Sequence, residues 1–220
     1  MSEVWEQIYS SGSQLNRYPY DSVVSFVYRY APRDVPRADV KILEVGSGAG
    51  NNLWFFAREG FDASGVEYSP SAVSYAERRL AGEGFSADIR QGDFCALPYG
   101  SCVFDMVVDR CSLTCVSVED MKRAIGEVWR VLKPGGYFHF NPYSERHSSY
   151  SSTAPFRFVE PVKGSLASHG GISFLSRCDV AELLNGFEIQ SIRHCEDEEL
   201  IGDEFTRNSW WIAVARKHDE

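Results

Sequence analysis

Residues 42–52 read Ile-Leu-Glu-Val-Gly-Ser-Gly-Ala-Gly-Asn-Asn: an apolar run, an acid near its end, three glycines, then the start of a helical pattern. A strand that breaks into such a loop before a helix commits the chain to a βα unit with a ligand at the loop. Gly46, Gly48 and Gly50 permit positive φ there and leave the backbone bare of Cβ atoms. The spacing narrows the ligand further. A dinucleotide pyrophosphate fingerprint would place glycine at 46, 48 and 51, whereas position 51 is Asn51. Glu44, two positions before the first glycine, repels an anion and favours a ligand that carries an ammonium group.

From residue 40 onward, apolar runs and punctuation alternate as strand, helix, strand, helix. Strands are expected over 40–45, 63–67, 85–90, 104–109, 137–141, 187–194 and 210–216, and helices over 51–59, 71–80, 119–132 and 176–184. Ser69-Pro70 supplies a cap and a first-turn proline, and Ser176 with Asp179 has the spacing of a capping box. The continuous apolar run at 104–109 suits a central parallel strand covered on both faces. Residues 143–171 hold many serines and no sustained period, yet include Phe156, Phe158 and Val159, which suggests a partly ordered cover over the site. The first 38 residues carry Trp5, Tyr9, Tyr18, Tyr20, Phe26, Tyr28 and Tyr30, expected as one or two helices outside the sheet or over its carboxyl edge. The division is thus an N-terminal aromatic cap at 1–38 and one globular domain at 39–220.

Composition removes several function classes. Hydrophobic residues at 44% and charged residues at 24% suit a folded globular chain rather than a disordered or fibrous one. No apolar stretch nears the ~20 residues of a membrane span and no basic-then-apolar leader opens the sequence, so a cytoplasmic protein without membrane contact is expected. The formal charge of −9 comes without any block of lysines and arginines, which argues against nucleic acid as a partner. Six cysteines include no paired metal spacing; Cys111 and Cys115 begin an iron–sulfur-like pattern that fails at Val118, and no metal is expected.

Five segments in order carry a family likeness: Leu43-Glu44-Val45-Gly46-Ser47-Gly48-Ala49-Gly50, Gly65-Val66-Glu67-Tyr68-Ser69, Gln91-Gly92-Asp93-Phe94, Phe104-Asp105-Met106-Val107-Val108 and Arg130-Val131-Leu132-Lys133-Pro134-Gly135-Gly136. Over about residues 40–216 the chain resembles a class I S-adenosylmethionine-dependent methyltransferase of the small-molecule branch. The resemblance implies an α/β, Rossmann-like seven-stranded mixed sheet in order 3-2-1-4-5-7-6, with strand seven antiparallel and helices on both faces. It also implies S-adenosylmethionine as cofactor and a small-molecule acceptor methylated at oxygen or nitrogen.

The same resemblance suggests residue roles, each at a strand tip where open α/β sheets bind ligands. Glu44 would receive the cofactor's ammonium while Gly46, Ser47, Gly48, Gly50 and Asn51 line its methionine part. Glu67 would accept the ribose hydroxyls, since a carboxylate offers two oxygens in one plane. Tyr68 would lie along the adenine, Asp93 would accept from its amino group, and the Phe94 amide would donate to the ring. Asp109 and Arg110 would contact the methionine end, with Arg110 open to a cofactor carboxylate, an acidic substrate or Asp109 itself. Tyr9, Asn141, Tyr143 and His147 are candidates for the acceptor pocket. A base is needed only for an acceptor that arrives protonated; His147 is the first candidate and His169 the second. Two other readings stand beside this one: a nicotinamide oxidoreductase, disfavoured by Asn51 and Glu44, and a methyltransferase-like module that binds without turnover.

Overall fold

The structure, a computed structural model, describes residues 3–151, 157–201 and 204–219. Its spine is a seven-stranded sheet built from β1 (Lys41–Val45), β2 (Asp62–Glu67), β3 (Asp88–Gln91), β4 (Phe104–Asp109), β5 (Leu132–Phe140), β8 (Glu188–Ile201) and β9 (Glu204–Arg216). A two-stranded ladder of β6 (Phe158–Val159) and β7 (Ile172–Ser173) lies apart from it. The order is β3-β2-β1-β4-β5-β9-β8, and β9 runs antiparallel to both of its neighbours. Counted within the main sheet alone, this is the expected 3-2-1-4-5-7-6. Strand order reverses between β1 and β4, which pair in parallel with Val45 opposite Asp109, so a cleft opens beyond the carboxyl ends of those two strands.

Apolar periodicity places the helices. In α5 (Val118–Val131), Met121, Ala124, Ile125, Val128 and Val131 are buried on one face, and the Ser117 hydroxyl caps the first turn by accepting from the Asp120 amide. That face packs into a core with Leu43, Val107, Phe138 and Phe140 on one side of the sheet. The opposite side is covered by α3 (Asn51–Arg58) and α2 (Asp21–Tyr30), whose Leu53, Phe56, Phe26 and Val27 meet Ile42, Met106 and Val108. Each such fully buried aliphatic side chain contributes about 1.5–3 kcal/mol relative to exposure. Unlike α2, α1 (Val4–Ser10) leans on α4 (Pro70–Gly82). One N-terminal helix thus lies on the sheet's face and the other over its carboxyl edge.

Three local readings need revision. The third strand begins at Asp88, not at residue 85, because Phe85 turns into the core beside α4. Lys133-Pro134-Gly135-Gly136 is not a turn that precedes β5 but an irregularity within it: Phe104 faces Leu132 while Met106 faces Tyr137, and Gly135 sits at φ +75°. The β8–β9 hairpin extends well past residues 194 and 210, carrying the acidic run Glu196–Glu199 outward on cross-strand pairs such as Glu198 with Arg207. Val162 and Leu166 of the cover segment form a small core with Ile172 and Phe174, which follow it, while Phe156 lies outside the described residues. The capping box of α6 (Arg177–Leu183) is as the sequence indicates, with both Ser176 and Asp179 hydrogen bonds present.

The carboxyl end is fastened at the opposite edge of the sheet. Lys217 is buried, and its ammonium donates to the carbonyls of Trp129 and Leu132, each at 2.7 Å, where α5 passes into β5.

Candidate active site

Beyond the tips of β1, β2 and β4 lies a cavity of about 300 Å³, within the size range of small-molecule sites. Glu44 and Glu67 both line it. Glu44, the penultimate residue of β1, is 3% exposed; one carboxylate oxygen accepts from the Asn52 side chain at 2.6 Å, and the other is buried without a hydrogen-bond partner among the described residues. Burial, only partly offset by Asn52 and reinforced by the charge of Asp109, pushes its carboxyl up to about 8. Glu67, at the tip of β2, accepts from the amides of Gly48 (2.9 Å) and Ser69 (2.8 Å), one on each oxygen. Its carboxyl is also raised by burial, against those two amides. Two buried acids that hold back from ionising form a site that a cationic ligand would stabilise.

The glycine loop closes on side chains from far along the chain. Gly46 has φ +65°, and a Cβ there would meet the Ser112 side chain at 2.4 Å, whose hydroxyl donates to the Gly46 carbonyl. Gly48 has φ +50°, and its missing Cβ leaves room for the Tyr9 hydroxyl, 2.4 Å from where that carbon would be. Tyr9 belongs to α1, whose Glu6 accepts from the hydroxyls of Ser69 and Ser71 at the start of α4. Trp5, one turn earlier, meets the His169 ring edge-on at 5.2 Å. Thus α1 roofs the cavity between α4 and the 3₁₀ turn Gly164–His169.

The β4 side is organised by Asp109. Fully buried, it accepts from the amides of Ser112 and Leu113, both at 2.9 Å, and of Asn141 at 3.1 Å. Burial raises its carboxyl to about 6 in spite of these bonds. Cys111, inside the turn so formed, holds φ +55°, a region that non-glycine residues rarely occupy. Between them Arg110 points its guanidinium over the Tyr20 ring, 4.0 Å from the centroid, and borders the cavity with Cys111, Cys115 and Tyr143.

Of the residues singled out from the sequence, Glu44, Gly46, Ser47, Gly48, Asn51, Glu67, Tyr68, Phe94, Arg110, Tyr9 and Tyr143 are brought together around this one cavity. Five are not. Gly50 caps α3 with φ +72° and allows Ala76 to approach, a packing role away from the cavity. Asp93 is exposed and accepts from the Cys95 amide, holding its own turn. Asp109 faces the three amides and is not among the residues that line the cavity. Asn141 is buried in the sheet with its amide donating to the Trp211 carbonyl. His147 is buried behind Tyr143, its ring 5.3 Å from the tyrosine's, and its Nδ1 accepts from the Ser149 amide. Burial lowers its pKa to about 4. The histidine that does reach the cavity is His169, with Nδ1 against the Leu166 carbonyl at 3.1 Å. Since a carbonyl only accepts, Nδ1 carries the proton and Nε2 keeps its lone pair.

Cavity residues absent from the sequence reading are Gln14, Asn16, Tyr20, Ala49, Cys111, Ser112, Cys115 and Leu166 as ligand-facing groups. Cys111, Ser112 and Cys115 follow the tip of β4, so the rule that ligands lie beyond strand ends was a signal that reached them. Gln14, Asn16 and Tyr20 come from the link between α1 and α2, where no local pattern marks a ligand.

Comparison with known proteins agrees with this arrangement. The family described as "Methyltransferase domain" matches residues 42–136. A demethylmenaquinone methyltransferase of Thermus thermophilus is 29% identical over 138 residues, covering 60% of this chain and 61% of that protein. A ubiquinone/menaquinone biosynthesis C-methyltransferase of Cereibacter sphaeroides is 26% identical over 175 residues, covering 76% of this chain and 65% of that protein. The chain therefore spans less than two thirds of the length of either relative. Among solved structures, a SAM-dependent methyltransferase of Methanosarcina mazei superposes with a TM-score of 0.74 at 21% identity, over 92% of this chain and 100% of that one, a likeness of fold.

Proposed function

We propose that the chain, whose residues 42–136 match the family described as "Methyltransferase domain", is a class I methyltransferase that transfers the methyl group of S-adenosylmethionine to a small-molecule acceptor, at a hydroxyl or an amine. The observation that carries this reading is the convergence of Glu44 and Glu67 on one cavity, with a buried Glu44 oxygen that lacks a partner. An ammonium at that oxygen would meet the orphaned acceptor and favour the ionised acid. The names of the quinone-pathway relatives support a small ring compound as acceptor.

Bound S-adenosylmethionine supplies an electrophilic methyl group on a sulfonium and with it most of the driving force. The chain's own residues would bind, orient and exclude water. Glu44 and Glu67 hold two ends of the donor, while the Gly46 to Gly48 backbone lies open for close approach. Trp5 and Tyr9 on α1, with Leu166 and His169 opposite, roof the cavity and keep water from the reacting centre. Alignment of this kind contributes up to roughly 7–11 kcal/mol without a side chain forming a bond. For a hydroxyl acceptor, Nε2 of His169 is the proton acceptor, and burial lowers this histidine's pKa so that it is neutral and basic-ready near neutral pH. An amine acceptor needs no such help.

The test is calorimetric titration with S-adenosylhomocysteine. Glu67→Ala and Glu44→Ala are each expected to lose about 1.5–3 kcal/mol, roughly tenfold to over a hundredfold in affinity. Unchanged affinity in both variants, with the circular dichroism of the parent, would sink the proposal. Radiolabelled donor incubated with cell extract, followed by mass identification of the labelled product, identifies the acceptor.

A further inference from the structure

We propose that Cys102 and Lys217 form a site of oxidative modification, a sulfenamide cross-link that peroxide makes and thiols reverse. The site is independent of the methyltransferase reading, because both residues lie at the end of the sheet opposite the cavity. Lys217 is 6% exposed, and its ammonium donates to the carbonyls of Trp129 and Leu132. That leaves its third N–H for the Cys102 sulfur, 3.8 Å away. No Asp or Glu oxygen among the described residues comes within 4 Å of this ammonium. Two carbonyls, the Trp129 ring at 5.1 Å and a thiol surround a buried cation that has no counter-charge, which is a costly arrangement.

Cys102 supplies what the lysine lacks. It is exposed, whereas Cys95, Cys111, Cys115 and Cys195 are half-buried, and it is the one cysteine among the described residues with a lysine nitrogen in hydrogen-bond reach. The pair, not the thiol alone, makes the site. The Cys102 amide donates to the Arg130 carbonyl and the Lys217 amide to the Gly136 carbonyl, each at 2.9 Å, so one corner between α5 and β5 holds both backbones. At φ +56° Cys102 occupies a region that non-glycine residues rarely adopt, and its turn is therefore set by the surrounding chain. Sulfur and nitrogen meet although 115 positions separate them in sequence.

The chemistry balances in two steps. Hydrogen peroxide oxidises the Cys102 thiol to a sulfenic acid and is itself reduced to water. Lys217 then releases one proton to solvent and its nitrogen attacks the sulfur; the S–N bond forms, the S–O bond breaks, and hydroxide leaves as water with a second proton from the nitrogen. A neutral nitrogen replaces the uncompensated ammonium. The new bond also closes a long loop that carries β4, α5, β5 and the β8–β9 hairpin, which restricts the unfolded chain.

The test exposes the full chain to hydrogen peroxide, blocks the remaining thiols with iodoacetamide and maps the digest by mass spectrometry. The expected product is one peptide pair joined through Cys102 and Lys217, lighter by two hydrogen atoms than the reduced pair and separated again by dithiothreitol. Oxidised parent should also unfold at higher urea than reduced parent, with no such difference in Cys102→Ser. Lys217→Arg, which keeps a cation at the carbonyls and removes the attacking amine, should yield no link. Cys102→Ser lies at an exposed position and keeps the test decisive if Lys217→Arg does not fold. Recovery of Cys102 as a sulfinic acid, as a disulfide with another cysteine or unlinked from Lys217 overturns the proposal. An equal midpoint shift in Cys102→Ser assigns the effect to other thiols and also overturns it.

Discussion

The tips of β1 and β2 and the tips of β4 and β5 face the same cavity, yet they are built in opposite ways. At the first pair, the ligand-facing groups and the framework are the same atoms: Glu67 shapes the loop by accepting from Gly48 and Ser69 and still lines the cavity. At the second pair the two jobs are divided. Asp109 turns inward to hold three amides, and Arg110, next along the chain, turns outward. A carboxylate at a strand tip thus has no fixed role. What decides it is whether an open face toward the cavity is left over once the backbone amides are accepted, as it is at Glu67.

Removal of the β4 framework should have the largest effect. Asp109→Ala leaves three buried amides without an acceptor, and at about 1–3 kcal/mol for each such group it should destabilise the fold by about 3 kcal/mol or more in urea titration. A loss below about 1 kcal/mol would mean that Asp109 is no framework residue and that the contrast between the two tips is false. Next in size is Gly46→Ala, whose Cβ would collide with Ser112 at a positive φ. A cost of about 1–3 kcal/mol is expected, since neither the turn nor the backbone can give way freely. Neutral behaviour would show that the loop and the β4 turn are not tightly seated.

A pH series sharpens the difference in charge. The folded-state pKa of Glu44 is raised from 4.5 to about 8, so the native form holds its proton more tightly than the unfolded chain does. Its contribution to stability is full below 4.5 and is lost as pH rises through about 8. The parent should therefore lose stability across that window relative to Glu44→Gln. In the same window, S-adenosylhomocysteine should release a proton on binding to the parent and not to the variant, read as a buffer-dependent calorimetric heat. Parallel pH profiles for the two proteins would remove Glu44 as the cation-facing group. The smallest effect is local: Glu6→Ala removes the acceptor of Ser69 and Ser71, and amide exchange should quicken in α1 while the sheet is unchanged.

The uneven legibility of the sequence follows the same division. Motifs at 43–50 and 65–69 carry both the backbone conformation and the cavity-lining groups within a few residues, so Glu44 and Gly48 stood out from local pattern and Glu67 through the family likeness. Strand order was legible through the family likeness, and the central strand at 104–109 through its apolar continuity. Of the far wall, Arg110, Tyr143 and His169 were named as candidates, whereas Tyr20 and Leu166 were not, because the wall is assembled from four separated stretches whose proximity is a product of topology. His147 and His169 show the limit well. Both sit in the same irregular segment, and only packing separates the one sealed behind Tyr143 from the one beneath Trp5. Asp109 shows the same limit: the sequence marks it as a strand-end acid, and the three amides that it accepts belong to residues whose conformation no local pattern revealed.

The Lys217 clasp carries a practical corollary for handling the protein. Because β9 runs against its neighbours, with Arg216 opposite Tyr137 and Lys217 reaching the Leu132 carbonyl at the start of β5, its last residues emerge at the edge remote from the cavity. A fluorophore, affinity handle or immobilising surface attached past His218 would hang clear of ligand traffic. The same attachment ahead of Trp5 would sit at the doorway and should be cleaved off before any titration is trusted.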